Sequence, residues 1–155
     1  MLFYAWFSAM HTRVDLFLAD KELDENRSLA ILNDIRQLLC GMESTANCFD
    51  PASELSLLNQ QAAGRPIKIS DQLYELLSFC IDSHRRTLGY FDIAFASQPY
   101  DDDAIRQILL LPEGYVRYGR KGIRLNLSGV LKGYALEGIR NMLKERGIEH
   151  ALVNM

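Results

Sequence analysis

The 155-residue sequence lacks several features that would place it in a specialised class of proteins. Its 17 lysines and arginines are outnumbered by 20 acidic residues, for a net charge of -3, so it offers no basic field to a nucleic acid. It has no run of about 18 apolar residues, the length that a membrane-spanning helix needs, and no internal repeat or low-complexity segment. These absences favour an ordinary globular protein, with a single domain expected over residues 1–155.

Cysteine is also scarce, and signals for export are missing. The sequence has only 3 cysteines and no CxxC pair. Cys40 and Cys80 fall in apparent helices at positions typical of a core, so buried free thiols are expected. The apolar start, Met1 to Phe7, has neither a basic region nor a small-residue cleavage site, and it is interpreted as a strand. Without a signal peptide or lipobox, the cytoplasm is the expected compartment by default.

The apolar residues recur with both helical and strand periodicity, which predicts an α+β fold rather than a strictly alternating α/β one. Helix caps are expected at Asp50 or Ser53 and at Ser70. The predicted helices are 29–42, 55–61, 73–81, 104–111 and 131–146; the predicted strands are 7–19, 67–69, 115–118, 123–127 and 150–154. A Gly-bounded turn between 115–118 and 123–127 predicts a β-hairpin.

Residues 125–135 form the segment most suggestive of chemistry, because a strand turns there through small residues into a helix. The first N–H groups of a helix and its dipole suit a phosphate or pyrophosphate. Gly129 and Gly133 would allow a ligand close to the backbone, and Lys132 could neutralise an anion. Many ordinary helix starts have this composition, so the residues alone leave both interpretations open.

The sequence assigns no metal ligand and no catalytic residue. The acidic run 101–103 lacks the spaced ligands of a calcium loop and is interpreted as a solvated turn. The histidines His11, His84 and His150 are isolated from one another. Ser128 lies in the small-residue turn, but no histidine motif accompanies it as a base.

Five segments carry a resemblance to a known family. Residues 126–135 read Asn-Leu-Ser-Gly-Val-Leu-Lys-Gly-Tyr-Ala, and 151–155 read Ala-Leu-Val-Asn-Met. Upstream lie Ala-Met-His-Thr at 9–12, a Phe-Asp-Pro-Ala-Ser-Glu-Leu-Ser-Leu-Leu-Asn block at 49–59 and Gly-Tyr-Phe-Asp-Ile at 89–93. In order and spacing they resemble blocks of the ApbE-type FAD:protein FMN transferases.

This resemblance implies an ApbE-like mixed sheet packed with helices, and an enzyme that binds FAD and transfers FMN to a Thr or Ser of an acceptor flavoprotein with the help of Mg²⁺. The residues that fall where the family contacts the flavin nucleotide are Met10, Phe49, Tyr90, Phe91, Asp92, Asn126, Ser128, Gly129 and Lys132. For Met10 and Phe49, a role as plain core residues is an equal alternative.

Departures from the family pattern leave a second function open. The Ala-Asp-Ala-x-x-Thr motif that holds the family's metal is absent, so the chain is expected to be the N-terminal part of the family domain. Asn126 stands at an acidic family position, and His11 replaces a glycine. The alternative is therefore a non-catalytic flavin-binding or self-associating truncated pseudoenzyme. Because the last strand would be left unpaired, a homo-oligomer or a companion chain is expected.

Overall fold

A computed structural model describes every residue from 1 to 155 and contains four α-helices and six β-strands. The strands are β1 (Leu2–Ala9), β2 (Thr12–Ala19), β3 (Ile67–Lys68), β4 (Ile108–Leu111), β5 (Tyr115–Tyr118) and β6 (Ala151–Asn154). The helices are α1 (Glu25–Ala46), α2 (Glu54–Gln61), α3 (Asp71–Arg86) and α4 (Ser128–Glu145). Helices beside two antiparallel sheets confirm the α+β prediction. The chain divides into two units, Met1–Glu43 with Leu131–Met155, and Ser44–Val130.

The first unit contains the antiparallel sheet β1-β2-β6. Val14, Leu16 and Leu18 of β2 are fully buried, as their alternation predicts. The prediction of one strand over 7–19 was wrong, because Met10 and His11 both adopt positive φ angles, of 52° and 56°. This left-handed turn reverses the chain, so that Ala9 pairs with Thr12 and a hairpin replaces the single strand.

The predicted long helix and the last helix of the first unit are both confirmed. α1 buries Ile31, Ile35 and Leu39 completely, at the spacing of one helix face. Gly138 of α4 lies so close to this helix that a Cβ there would be 3.1 Å from the Met42 side chain. A side chain at position 138 would therefore require the Met42 side chain to shift by a few tenths of an ångström.

The second unit contains the small antiparallel sheet β3-β5-β4 together with α2 and α3. Of the two expected caps for α2, the structure uses Ser53, whose Oγ accepts a hydrogen bond of 3.1 Å from the Ser56 N–H. Ser70 caps α3 in the same way through the Leu73 N–H. The helix predicted over 104–111 was wrong, since only Ala104–Gln107 forms a 3-10 turn and Ile108–Leu111 is a strand paired with β5.

The hairpin predicted between 115–118 and 123–127 was also wrong. β5 lies between β3 and β4, so both of its edges are already paired. The Asn59 side chain replaces the missing partner of 123–127. Its Oδ1 accepts the Leu125 N–H at 2.8 Å, and its Nδ2 donates to the Leu125 carbonyl at 2.9 Å. The buried Tyr118 hydroxyl donates to the same Oδ1 at 3.0 Å.

The three cysteines differ in their surroundings. Cys80 is completely buried in α3, and burial raises the pKa of its thiol to about 12. Cys48 is half-buried, and Cys40 is exposed. The expectation of a buried thiol was therefore wrong for Cys40, because it lies on the outward side of α1, next to the fully buried Leu39.

No helix has the length and apolar character needed to cross a membrane.

We expect the Asn59→Leu variant to lower the free energy of unfolding by about 2–4 kcal/mol, because two backbone groups of Leu125 and the Tyr118 hydroxyl would lose their partner. The matched control is Tyr118→Phe, which removes only the hydroxyl and should cost about 1 kcal/mol. Urea denaturation of the three proteins measures both values. Equal stability of Asn59→Leu and the wild type would contradict this account of the 123–127 segment.

Candidate functional site

A cleft of about 430 Å³ opens in the second unit. It is bounded by the loop that precedes α2, by one side of α2, and by two segments without helix or strand near residues 96–98 and 122–124. The lining residues are Cys48, Phe49, Pro51, Ser56, Asn59, Gln60, Ala96, Gln98, Gly122, Ile123 and Arg124. Both apolar and polar side chains therefore face this space, as is usual where a small molecule binds.

Phe49 is the aromatic side chain of this cleft, and 72% of it is exposed. Its loop is held by local hydrogen bonds, in which Asn47 Oδ1 accepts the Phe49 N–H at 3.0 Å and Asp50 Oδ1 accepts the Ala52 N–H at 2.9 Å. The exposure excludes the alternative of Phe49 as a core residue. A fixed aromatic ring open to solvent suits contact with a planar ligand.

The opposite wall of the cleft comes from two segments that lie very close together. Gly122 has a φ of 84°, and a Cβ there would be 1.9 Å from the Gln98 carbonyl oxygen. The Gln98 N–H donates to the Gly122 carbonyl at 2.8 Å. Buried Ser97 accepts the backbone N–H of Arg124 at 3.0 Å. Glycine is therefore required at position 122 to keep this wall intact.

The start of α4 follows this wall directly in sequence. The Asn126 N–H donates to the Ile93 carbonyl at 2.9 Å. This hydrogen bond holds Ile93, the residue after the Tyr90–Asp92 segment, beside the helix start. Asn126 Oδ1 accepts the Ser128 N–H at 2.9 Å and so caps the first turn. Ser128 and Gly129 are exposed, and nothing lies within 4 Å of a Cβ built at Gly129. The small-residue turn is thus open to a ligand.

Tyr90 lines a different cleft from Phe49. Tyr90 is 95% exposed and lies at a second cleft of the same unit, beside His84 and Tyr100. His84 Nδ1 is 2.8 Å from the Phe91 carbonyl oxygen and fixes this loop. Asp92 accepts the Ala94 N–H at 2.7 Å and the Tyr100 hydroxyl at 3.1 Å. The hydrogen bond to Asp92 raises the pKa of Tyr100.

Met10 and Lys132 belong to the first unit. Met10 is buried, with 8% of its surface exposed, at the left-handed turn between β1 and β2. Lys132 is exposed in the first turns of α4. Burial favours packing as the role of Met10 in the structure, whereas Lys132 keeps its ammonium group in solvent.

Of the residues that line the cleft, only Phe49 was predicted as a site residue from the sequence, and the missed residues include Asn59 and Arg124. Asn59 ends the 49–59 block that carries part of the family resemblance, so its position in that block was a usable signal. Arg124 lies in the strand-like run before the small-residue turn, where alternation marks it only as outward-facing. No group of three or more His, Cys, Asp or Glu side chains is arranged to hold a metal ion. The residues present therefore do not fit a complete Mg²⁺ site.

Solved structures show the same fold at low sequence identity. The flavin transferase ApbE from Vibrio cholerae matches with a TM-score of 0.87 and 17% identity, over 100% of this chain and 57% of that one. The apo form of the Pseudomonas stutzeri flavinyl transferase ApbE matches with a TM-score of 0.86 and 13% identity, over 100% and 55%. The ApbE protein from Thermotoga maritima matches with 0.81 and 16%, over 99% and 56%.

The chain thus spans less than two thirds of the length of these structures. A sequence comparison with curated proteins found no match. The sequence profile of the ApbE family, in contrast, matches residues 10–155, which is nearly the whole chain. The chain belongs to the ApbE family.

Proposed function

We propose that this protein binds FAD at the Phe49 cleft and takes part in transferring FMN to a Thr or Ser of an acceptor flavoprotein. In that reaction the acceptor hydroxyl oxygen forms a bond to the FMN phosphorus, the pyrophosphate P–O bond breaks, and AMP leaves with the electron pair. The hydroxyl proton is released to solvent or a base. Family membership over residues 10–155 supports this class of chemistry.

The exposed ring of Phe49 is the observation that carries the proposal. An aromatic side chain that is 72% exposed at the mouth of a cleft has no packing role of its own. Stacking on a flavin or adenine ring would remove this apolar surface from water. The exposed start of α4 supplies the Gly129 N–H and a positive dipole end for phosphate oxygens, whereas the Ser128 N–H already donates to Asn126 Oδ1.

The other predicted contacts are part of the same proposal. Asn126 would act through the helix start that it caps. Tyr90, Phe91 and Asp92 would contact only a part of the nucleotide that extends beyond the Phe49 cleft, because Tyr90 lines a different cleft. Met10 and Lys132 belong to the first unit, and their contact with the nucleotide stays a prediction. The divalent metal that the family implies needs oxygen ligands beyond residues 1–155, because these residues gather no suitable cluster. A longer chain or a companion chain would supply them.

We expect Phe49→Ala to weaken FAD binding about tenfold, because a stacked aromatic contact contributes about 1–3 kcal/mol. Quenching of flavin fluorescence during titration measures the dissociation constant. The matched control is Phe79→Ala, since Phe79 is 53% exposed on α3 and does not line the cleft. Equal losses in the two variants would contradict the assignment of the cleft.

The transfer step is tested with the chain as part of a longer chain, or together with a companion chain, that supplies the Mg²⁺ ligands, incubated with FAD, Mg²⁺ and an acceptor flavoprotein domain. The proposal expects a covalent flavin on the acceptor, seen as in-gel fluorescence, and none on an acceptor whose target Thr is replaced by Val. FAD binding without transfer would instead support the alternative, a non-catalytic flavin-binding protein. If the protein neither binds FAD nor transfers FMN, the remaining alternative is a self-associating protein without flavin chemistry.

Self-association is proposed from the exposed parts of the first sheet. β6 pairs only with β2, so its other edge carries unpaired backbone groups. Tyr4, Trp6 and Leu152 are between 46% and 57% exposed on one face of the same sheet. A second copy could pair with the β6 edge about a twofold axis.

We expect a dimer in sedimentation velocity runs at high protein concentration. The Val153→Pro variant should shift it to monomer, because proline removes a backbone donor from β6. Thermal unfolding of the variant separates loss of pairing from loss of folding. A wild-type protein that sediments as a monomer at every concentration would contradict self-association and leave a companion chain as the partner to be sought.

A further inference from the structure

We propose that Arg124 is a specificity-determining residue that binds a phosphate group of the flavin dinucleotide. The inference rests on the proposed FAD binding at the Phe49 cleft and adds the residue that distinguishes a phosphorylated flavin from riboflavin. It depends on three features of the second unit: the unpaired charge of Arg124, the rigidity of the backbone that carries it, and its place in the Phe49 cleft, two residues before Asn126.

The guanidinium group of Arg124 has no hydrogen bond or ion pair within the protein, whereas most arginines of the chain have one. Arg106 and Arg120 pair with Asp103 and Asp101, for example. Arg124 is exposed and lines the cleft. An arginine that faces a cleft without a carboxylate partner keeps all five of its N–H donors for a ligand, and its planar fork matches phosphate oxygens.

The backbone around Arg124 is held on both sides. Its own N–H donates to buried Ser97 at 3.0 Å. Both backbone groups of the next residue, Leu125, form hydrogen bonds with the Asn59 side chain. The N–H of Asn126 donates to the Ile93 carbonyl. Three consecutive residues with fixed backbones leave only the side chain of Arg124 to be ordered when a ligand binds, which lowers the entropic cost of binding.

The position of Arg124 fits the middle of an extended dinucleotide. It shares the cleft with Phe49, where a ring would stack. It is also two residues before Asn126, so their Cα atoms are at most about 7 Å apart. Asn126 accepts the Ser128 N–H, and the exposed start of α4 still offers the Gly129 N–H and its positive dipole end to an anion. If the ring of such a ligand stacks on Phe49, its diphosphate would lie within reach of the Arg124 guanidinium.

The test compares the affinities of FAD, FMN and riboflavin for the wild type, Arg124→Gln and Arg124→Lys. We expect Arg124→Gln to weaken FAD binding about tenfold and riboflavin binding less than about twofold, since riboflavin has no phosphate. Arg124→Lys should fall between the wild type and Arg124→Gln, because it keeps the charge and loses the fork. Arg117→Gln is the matched control, an exposed arginine on β5 that does not line the cleft.

The outcomes separate this inference from the proposed function. If the wild type does not bind FAD, the proposed function fails and this inference fails with it. If the wild type binds FAD and Arg124→Gln binds it equally well, only the inference about Arg124 fails. An equal loss for FAD and riboflavin would place Arg124 at the ring rather than at the phosphate and would also overturn it.

If riboflavin binds too weakly for its affinity to be compared, the salt dependence of FAD binding tests the role of Arg124. The wild type should lose affinity more steeply with rising salt than Arg124→Gln does, because one charge contact with phosphate is missing in the variant. Identical salt slopes would overturn the inference. Thermal unfolding of Arg124→Gln should match that of the wild type, because the side chain makes no hydrogen bond or ion pair that the substitution would remove.

Discussion

The amide group of Asn59 holds the part of the second unit on which the candidate site depends. It forms hydrogen bonds with the N–H and the carbonyl of Leu125, as a neighbouring strand would, and it also accepts a hydrogen bond from the Tyr118 hydroxyl. Because buried polar groups without partners cost free energy, a single side chain fixes the segment between β5 and α4. That segment carries Arg124 into the cleft and places Asn126 where it caps α4. The cleft and the open helix start are thus two consequences of one set of hydrogen bonds.

The helices and most of the strands were predictable because they depend on local patterns. Apolar spacing located α1 and α3, and the side chains of Ser53 and Ser70 marked the starts of α2 and α3. The errors arose where distant residues decide the structure. The run 123–127 alternates like a strand, yet its partners are Asn59 and Ile93, residues far away in sequence. Met10 and His11 form a turn with two positive φ angles, which residues other than glycine rarely adopt. Because neither residue is a glycine, the sequence did not indicate this turn.

The candidate site was predictable only in part, for a similar reason. The family resemblance selected Phe49, Asn126, Ser128 and Gly129, and the structure shows Phe49 exposed at the cleft and Ser128 and Gly129 exposed at the helix start. The same resemblance selected Tyr90, whose loop faces another cleft. Arg124 could not be selected from the sequence, since its importance comes from the absence of a partner, and only the arrangement in space shows which arginines are already paired.

The central claim is that a flavin ring occupies the Phe49 cleft and that its phosphates extend toward the start of α4. A crystal structure of the protein with FAD tests it most directly. The account predicts ring density against Phe49 and phosphate density between Arg124 and the Ser128–Gly129 turn. Density for the flavin at the second cleft beside Tyr90, with the Phe49 cleft left empty, would contradict it.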